Sequence, residues 1–83
     1  MKREEIYTWL VKVLEESFEI DPARVTPEAN LYTELDIDSI DAVDLMLRAK
    51  ELTGRRIQPE VFKSVRTVQD VVNALFDVMA ESA

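Results

Sequence analysis

The chain has 83 residues, with 17 acidic and 10 basic side chains, a net charge of −7, and neither cysteine nor histidine. Its length predicts one small domain over residues 1–83, with a core that contributes only modest net stability. The missing Cys and His exclude disulfides, thiolate nucleophiles, imidazole bases and ordinary zinc sites. The acidity argues against binding to nucleic acid, and no stretch is apolar for long enough to span a membrane. We expect a soluble, cytoplasmic protein, since the N-terminus also lacks an apolar signal core, and we expect it to be a monomer.

Apolar residues at three- and four-residue spacing predict a first helix over residues 3–18. A long loop follows over residues 19–37, in which Asp21-Pro22 and Thr26-Pro27 predict short helical turns. A loop of this length is unusual in a small domain. We therefore expect apolar residues to anchor it to the core, namely Ile20, Val25, Leu31, Leu35 and Ile37.

A second helix is predicted over residues 39–52. Asp38 suits its N-cap, and Asp41 three residues later completes a variant of the capping box. Thr53-Gly54 closes the helix, since Gly54 is free to adopt the left-handed conformation that follows many helix ends.

The remaining chain predicts a short helix and a long one. Pro59 suits the first position of a short helix that continues to about Ser64. Thr67 and Asp70 form a capping box at the start of a last helix over about residues 67–80. No alternating strand pattern occurs. The predicted fold is an all-α bundle of three main helices plus the short one, a four-helix bundle with a long loop between the first two helices.

The second helix carries two apolar stripes. One consists of Ala42, Leu45, Met46, Ala49 and Leu52, and the other of Ile40, Val43 and Leu47. Periodicity alone favours burial of both stripes in the core. A small domain has few partners to cover a helix on so many sides, however. An apolar stripe beside Asp41 and Asp44 therefore also fits a surface that binds other proteins.

Charge is unevenly distributed along the chain. Residues 31–47 contain five acids and no base, whereas residues 48–66 carry a net charge of +4. This pattern favours a docking surface over a merely solvated one. Ser39 lies at the start of the acidic helix, where unpaired backbone N–H groups and the helix dipole favour a phosphate.

A calcium loop that begins at Asp36 is excluded, because Ile40, Asp41 and Leu47 occupy its fifth, sixth and twelfth positions.

The segment from Leu35 to Leu45, Leu-Asp-Ile-Asp-Ser-Ile-Asp-Ala-Val-Asp-Leu, resembles the attachment motif of acyl carrier proteins. That family shows a Leu-Gly-x-Asp-Ser-Leu run followed by an acidic helix. The resemblance extends over essentially the whole chain, through the loop anchors, Ile57 and Thr67-Val68-Gln69-Asp70. The short motif alone is weak evidence for the family, but the motif together with matching architecture on both sides of it is specific evidence.

The resemblance implies a carrier that is not itself an enzyme. Ser39 would receive 4′-phosphopantetheine from coenzyme A through a phosphopantetheinyl transferase, and Asp38 would help to present the serine. Acyl or polyketide-type intermediates would travel as thioesters on the thiol of the arm. Acyl-transfer, ketosynthase and reductase-type enzymes would dock through basic patches. Their contacts on this chain would be Asp38, Ile40, Asp41, Val43, Asp44 and Leu47.

Two residues depart from the family pattern. Asp36 stands where Gly is usual, and Ile40 where Leu is commoner. The basic residues 48–66 also differ from fatty-acid-type carriers and suggest a specialised pathway, such as secondary-metabolite or polyene biosynthesis.

Two alternative functions stay open. One is an aminoacyl or peptidyl carrier, which more often has a Gly-Gly-x-Ser motif. The other is an unmodified helical adaptor that binds a basic partner.

Overall fold

The computed structural model describes residues 2–54, 57 and 64–81. In these ranges the chain forms three α-helices, α1 (Arg3–Phe18), α2 (Ser39–Thr53) and α3 (Val68–Glu81). A single 3₁₀ turn, Pro22–Arg24, lies in the loop between α1 and α2. The isolated bridge between Asn30 and Thr67 is the only β-type pairing among these residues. The prediction of an all-α fold is confirmed, and helix boundaries agree with it to within one residue.

Of the four helices in the predicted bundle, the described ranges contain the three long α-helices. Besides the α-helices, the described ranges contain one short element, the 3₁₀ turn in the loop between α1 and α2. There Asp21 Oδ1 accepts a hydrogen bond from Ala23 N–H at 2.9 Å. The predicted short helix from Pro59 lies outside the described residues, apart from Ser64 in a turn. None of the helices in those ranges is long and apolar enough to cross a membrane.

Backbone and side-chain caps fix both ends of α1. Glu5 Oε1 accepts a hydrogen bond from the N–H of Lys2 at 2.9 Å, which satisfies one donor ahead of the first turn. At the other end, Glu19 adopts the left-handed conformation with a φ of 56°. The N–H groups of Glu19 and Ile20 both donate to the carbonyl of Leu14. The chain thereby reverses direction and brings Ile20 back to the core.

The three helices bury one continuous apolar core. Both α1 and α2 pack against α3, and α1 also contacts the 3₁₀ turn. The buried positions on the helices recur at the spacing typical of one helix face; they are Ile6, Leu10 and Leu14 on α1, Leu45 and Ala49 on α2, and Val68, Val71, Val72 and Leu75 on α3. At about 25 cal/mol per Å² of apolar surface, burial of these side chains is the main contribution to folding.

The loop between α1 and α2 is anchored as predicted. Its five expected anchors, Ile20, Val25, Leu31, Leu35 and Ile37, are all buried. Main-chain hydrogen bonds add to this anchoring, since Leu31 N–H donates to the carbonyl of Arg66 at 2.8 Å and Val68 N–H donates to that of Ala29 at 3.0 Å. The loop is therefore held against the start of α3 and gives the following residues a fixed position.

The predicted capping box at the start of α3 is present in full. The N–H of Asp70 donates to Thr67 Oγ1 at 3.2 Å, and the N–H of Thr67 donates to Asp70 Oδ2 at 3.1 Å. Arg66 N–H also donates to Asp70 Oδ2, at 3.0 Å. The hydrogen bonds from the backbone of Thr67 and Arg66 lower the pKa of Asp70 below its usual 3.8.

We expect Asp70→Ala to destabilise the fold by about 1–2 kcal/mol at neutral pH, because two backbone donors lose a charged acceptor. Because the pKa of Asp70 is lower in the folded state than in the unfolded state, its carboxylate stabilises the fold at pH values above the unfolded-state pKa. This stabilisation is lost as the pH falls through the folded-state pKa. The difference between wild type and variant should therefore shrink as pH falls below 3.8. Urea unfolding at a series of pH values measures this change.

Asp77→Ala removes the same charge from an exposed site on the same helix and is the matched control. Its effect at neutral pH should be within about 0.5 kcal/mol. A pH-independent difference between Asp70→Ala and wild type would contradict the role assigned to the carboxylate.

Candidate functional site

Ser39 is the first residue of α2 and is exposed. The two residues before it prepare this position. Ile37 is buried, and its N–H donates to the carbonyl of Leu31 at 2.9 Å, whereas Asp38 faces solvent in extended conformation. The serine hydroxyl is thus held on the surface immediately beyond an anchored loop.

Asp38 is the N-cap of α2, as predicted. Its Oδ1 accepts a hydrogen bond from the N–H of Asp41 at 2.9 Å, and its carbonyl accepts one from Ala42 N–H at 2.9 Å. The first bond is the N-cap half of the predicted capping-box variant. At the other end, Gly54 takes the predicted left-handed conformation with a φ of 69°. The Asp38 cap makes the helix begin at Ser39, so that the serine lies at the positive end of the helix dipole.

Asp36 also has a positive φ, of 56°. This is the position where the resemblance leads one to expect Gly. Glycine adopts left-handed backbone without a steric penalty, and aspartate is among the side chains that tolerate it best. The departure at Asp36 is therefore accommodated by the same left-handed backbone that Gly adopts readily, and the buried residues on each side, Leu35 and Ile37, keep their places.

Asn30 organises the loop and was not predicted as important. Its Oδ1 accepts hydrogen bonds from the N–H groups of Tyr32 and Thr33 at 2.9 and 3.0 Å. Its carbonyl accepts bonds from Glu34 and Leu35. An asparagine just ahead of a buried leucine is a turn signal that the sequence does contain. A second contact within this loop is the hydrogen bond that Arg24 donates to the carbonyl of Glu34, for which the sequence contains no signal.

The second apolar stripe of α2 lies on the surface. Ile40 is 77% exposed, Val43 54% and Leu47 58%; these three residues are called the apolar face below. Of the two interpretations of this stripe, burial in the core is wrong and exposure to solvent is confirmed. Three large apolar side chains along one exposed helix face suit transient contact with another protein.

Acidic side chains border the apolar face. Asp38 is exposed, while Asp41 and Asp44 are half-buried at the next positions along the helix. Asp44 Oδ1 lies 3.6 Å from Arg48 Nε, an ion pair between residues one turn apart. All six predicted docking residues therefore lie on α2 or at its N-cap, and none of them is fully buried.

A surface cleft lies beside the N-terminal end of α2. Its walls are the end of α1, Arg24 of the 3₁₀ turn, and the loop up to Ile37, with Asp41 at its edge. It is an open, largely polar depression next to the loop that presents Ser39. No residue of this chain serves as an imidazole or thiolate base, because the sequence contains neither His nor Cys.

The residues at this site fit a phosphodiester-linked group. An exposed primary alcohol can be esterified, and the first turn of a capped helix offers backbone N–H groups and a positive dipole end to a phosphate. The sequence offers neither an imidazole nor a thiolate to activate this hydroxyl, and Asp38 Oδ1 already accepts a hydrogen bond from the N–H of Asp41.

Comparison with known proteins gives consistent results. The family model for the phosphopantetheine attachment site matches residues 8–75. Acyl carrier protein 2 of Ralstonia nicotianae is 58% identical over 80 residues, which cover 96% of this chain and 99% of the relative. The meromycolate extension acyl carrier protein of Mycolicibacterium smegmatis is 39% identical over 70 residues, covering 84% of this chain and 71% of that protein. A crystal structure of an acyl carrier protein from Thermotoga maritima superposes with a TM-score of 0.86 at 26% identity, covering 100% of this chain and 96% of that one.

Proposed function

Because the chain belongs to the acyl carrier protein family, we propose that Ser39 is the residue to which its prosthetic group is attached. Members of this family are carriers rather than catalysts and bear a covalently attached 4′-phosphopantetheine. The observation that supports Ser39 is its position, exposed at the capped start of α2 and directly after the anchored loop. When bound, the group supplies a thiol that holds an acyl chain as a thioester.

The chain's own residues have limited tasks in this function. When a phosphopantetheinyl transferase acts on coenzyme A, the Ser39 hydroxyl oxygen bonds to the phosphorus that bears the pantetheine. The pyrophosphate P–O bond of coenzyme A breaks, adenosine 3′,5′-bisphosphate leaves, and the hydroxyl proton is released. Asp38 and the buried loop anchors keep the hydroxyl at a fixed place in front of that enzyme. The apolar face, with Asp38, Asp41 and Asp44 beside it, contacts partner enzymes that carry basic patches. Such exposed, charged contacts are weak and sensitive to salt, as a carrier that visits several enzymes requires.

The proposed cargo is an acyl chain of a fatty-acid-like pathway. Relatives described as acyl carriers favour this cargo over aminoacyl or peptidyl groups. The +4 charge of residues 48–66 supports a specialised partner set, such as that of polyketide or polyene biosynthesis. We propose further that the protein works in the cytoplasm, because its prosthetic group comes from coenzyme A, and that it works as a monomer.

Incubation with coenzyme A and a phosphopantetheinyl transferase of broad specificity tests the proposal. The intact mass should increase by one 4′-phosphopantetheine group, with no second addition. Fragmentation should place the addition on the peptide that contains Ser39. An addition on any other residue, or an unchanged mass with a transferase that modifies a control carrier, would contradict it.

A further inference from the structure

Two rows of side chains run side by side along α2. Ile40, Val43 and Leu47 form the apolar face, with spacings of three and four residues. Asp41, Asp44 and Arg48 each follow one residue later with the same spacing. Residues at these spacings share one side of a helix. A charged row therefore borders the apolar face along its whole length.

This charged row changes sign along the helix. Asp41 and Asp44 lie beside its first two turns, and Arg48 lies about 10 Å further along the axis than Asp41, at 1.5 Å per residue. On the other flank, the exposed Lys50 follows Leu47 by three residues. The exposed Glu51 offsets part of this charge, so that Arg48, Lys50 and Glu51 together carry a net charge of +1. The two ends are separated by about one Debye length at physiological salt, so a bound partner meets them as distinct charges.

Arg48 pairs with Asp44 at that end. Its Nε lies 3.6 Å from Asp44 Oδ1, is shielded from solvent and makes no hydrogen bond. Its side chain is nevertheless 42% exposed, so the exposed area belongs to its other atoms. The pair partly neutralises Asp44, and Arg48 follows Leu47 directly at the C-terminal end of the apolar face. A guanidinium suits a carboxylate from a second protein, because it offers several N–H donors in a planar fork.

We infer that Arg48 determines which proteins dock on the apolar face. The favoured partner carries cations opposite the end with Asp38 and Asp41, and a carboxylate opposite Arg48. A partner that is basic along its whole docking surface brings a cation against Arg48 and is disfavoured by like-charge repulsion. This inference rests on the proposed function, because the docking proteins are the enzymes that act on the attached group.

Two synthetic helical peptides with the same leucine face serve as probes. One carries lysines along both halves of its flanks, and the other carries lysines along one half and glutamates along the other. Binding of each probe to the phosphopantetheine-loaded protein is measured by fluorescence anisotropy at low salt. The readout is the ratio of the two dissociation constants, uniform probe over split probe. We expect Arg48→Glu to lower this ratio about three- to tenfold, and Arg48→Gln to lower it by a smaller factor.

Lys12→Glu, on an exposed site of α1, changes the net charge by the same amount and is the control. It should leave the ratio nearly unchanged. Equal shifts in Lys12→Glu and Arg48→Glu, no shift in either Arg48 variant, or no measurable binding of either probe would overturn the inference. Intact masses are recorded first. A chain that gains no prosthetic group contradicts the proposed function, whereas loaded variants with an unchanged ratio contradict only the role of Arg48.

Discussion

Replacing Ser39 by alanine is expected to abolish attachment of the prosthetic group completely while leaving the fold intact. The side chain is exposed, and the N-cap of α2 is the neighbouring Asp38, whose bond to the N–H of Asp41 the substitution leaves in place. Stability should therefore change by less than about 0.5 kcal/mol. Attachment, by contrast, depends on one oxygen atom that alanine lacks. Intact mass after incubation with coenzyme A and a transferase measures this loss.

Ser17→Ala is the matched control, because Ser17 is also exposed and lines the cleft beside the N-terminal end of α2. This variant should gain the prosthetic group as wild type does. Modification of Ser39→Ala, or failure of Ser17→Ala to be modified while it remains folded, would contradict the assignment. Circular dichroism of both variants separates a lost attachment site from a lost helix.

The second large effect is expected at Leu45, only two residues from Leu47 on the same helix. Leu45 is 1% exposed in the core between α2 and α3, whereas Leu47 belongs to the apolar face. Leu45→Ala removes buried methyl groups and leaves a cavity, which costs about 2–5 kcal/mol. A domain of this size has little stability beyond that. Leu45→Ala should therefore unfold at much lower urea concentration than wild type, or be unfolded without urea.

Leu47→Ala makes the same chemical change on the surface and should alter stability by less than about 0.5 kcal/mol. Its effect should appear in function instead, as a raised KM for the enzymes that dock on the apolar face. Equal loss of stability in Leu45→Ala and Leu47→Ala would show that the apolar face belongs to the core. Val43→Glu offers a further check, since the helix content of this variant should equal that of wild type.

Most of the fold could be predicted because local signals and hydrophobic periodicity agree. The bounds of α1 follow from its apolar arc, and those of α2 from Asp38 and Gly54 at its ends. The capping box of Thr67 and Asp70 likewise marks the start of α3. In each case the residues that determine the structure are close neighbours in sequence, so their spacing carries the information.

Features that depend on distant contacts could not be predicted in the same way. Periodicity identifies both stripes of α2, but it does not indicate which stripe α3 covers. The exposure of Ile40, Val43 and Leu47 was suggested by the acidic neighbours and the family resemblance, and packing decides it. The left-handed backbone at Asp36 depends on the burial of its two neighbours. The bonds that Asn30 makes with its own turn had a local signal, whereas the contact of Arg24 with Glu34 had none.

The mass of the protein isolated from its own cells tests the central claim most directly. Intact and fragment mass spectra under non-reducing conditions report both the prosthetic group and whatever is esterified to its thiol. We expect one 4′-phosphopantetheine per chain on the peptide that contains Ser39, with part of the population carrying an acyl group that hydroxylamine removes. A chain recovered wholly unmodified, or modified at another residue, would contradict the proposal that Ser39 carries the acyl cargo.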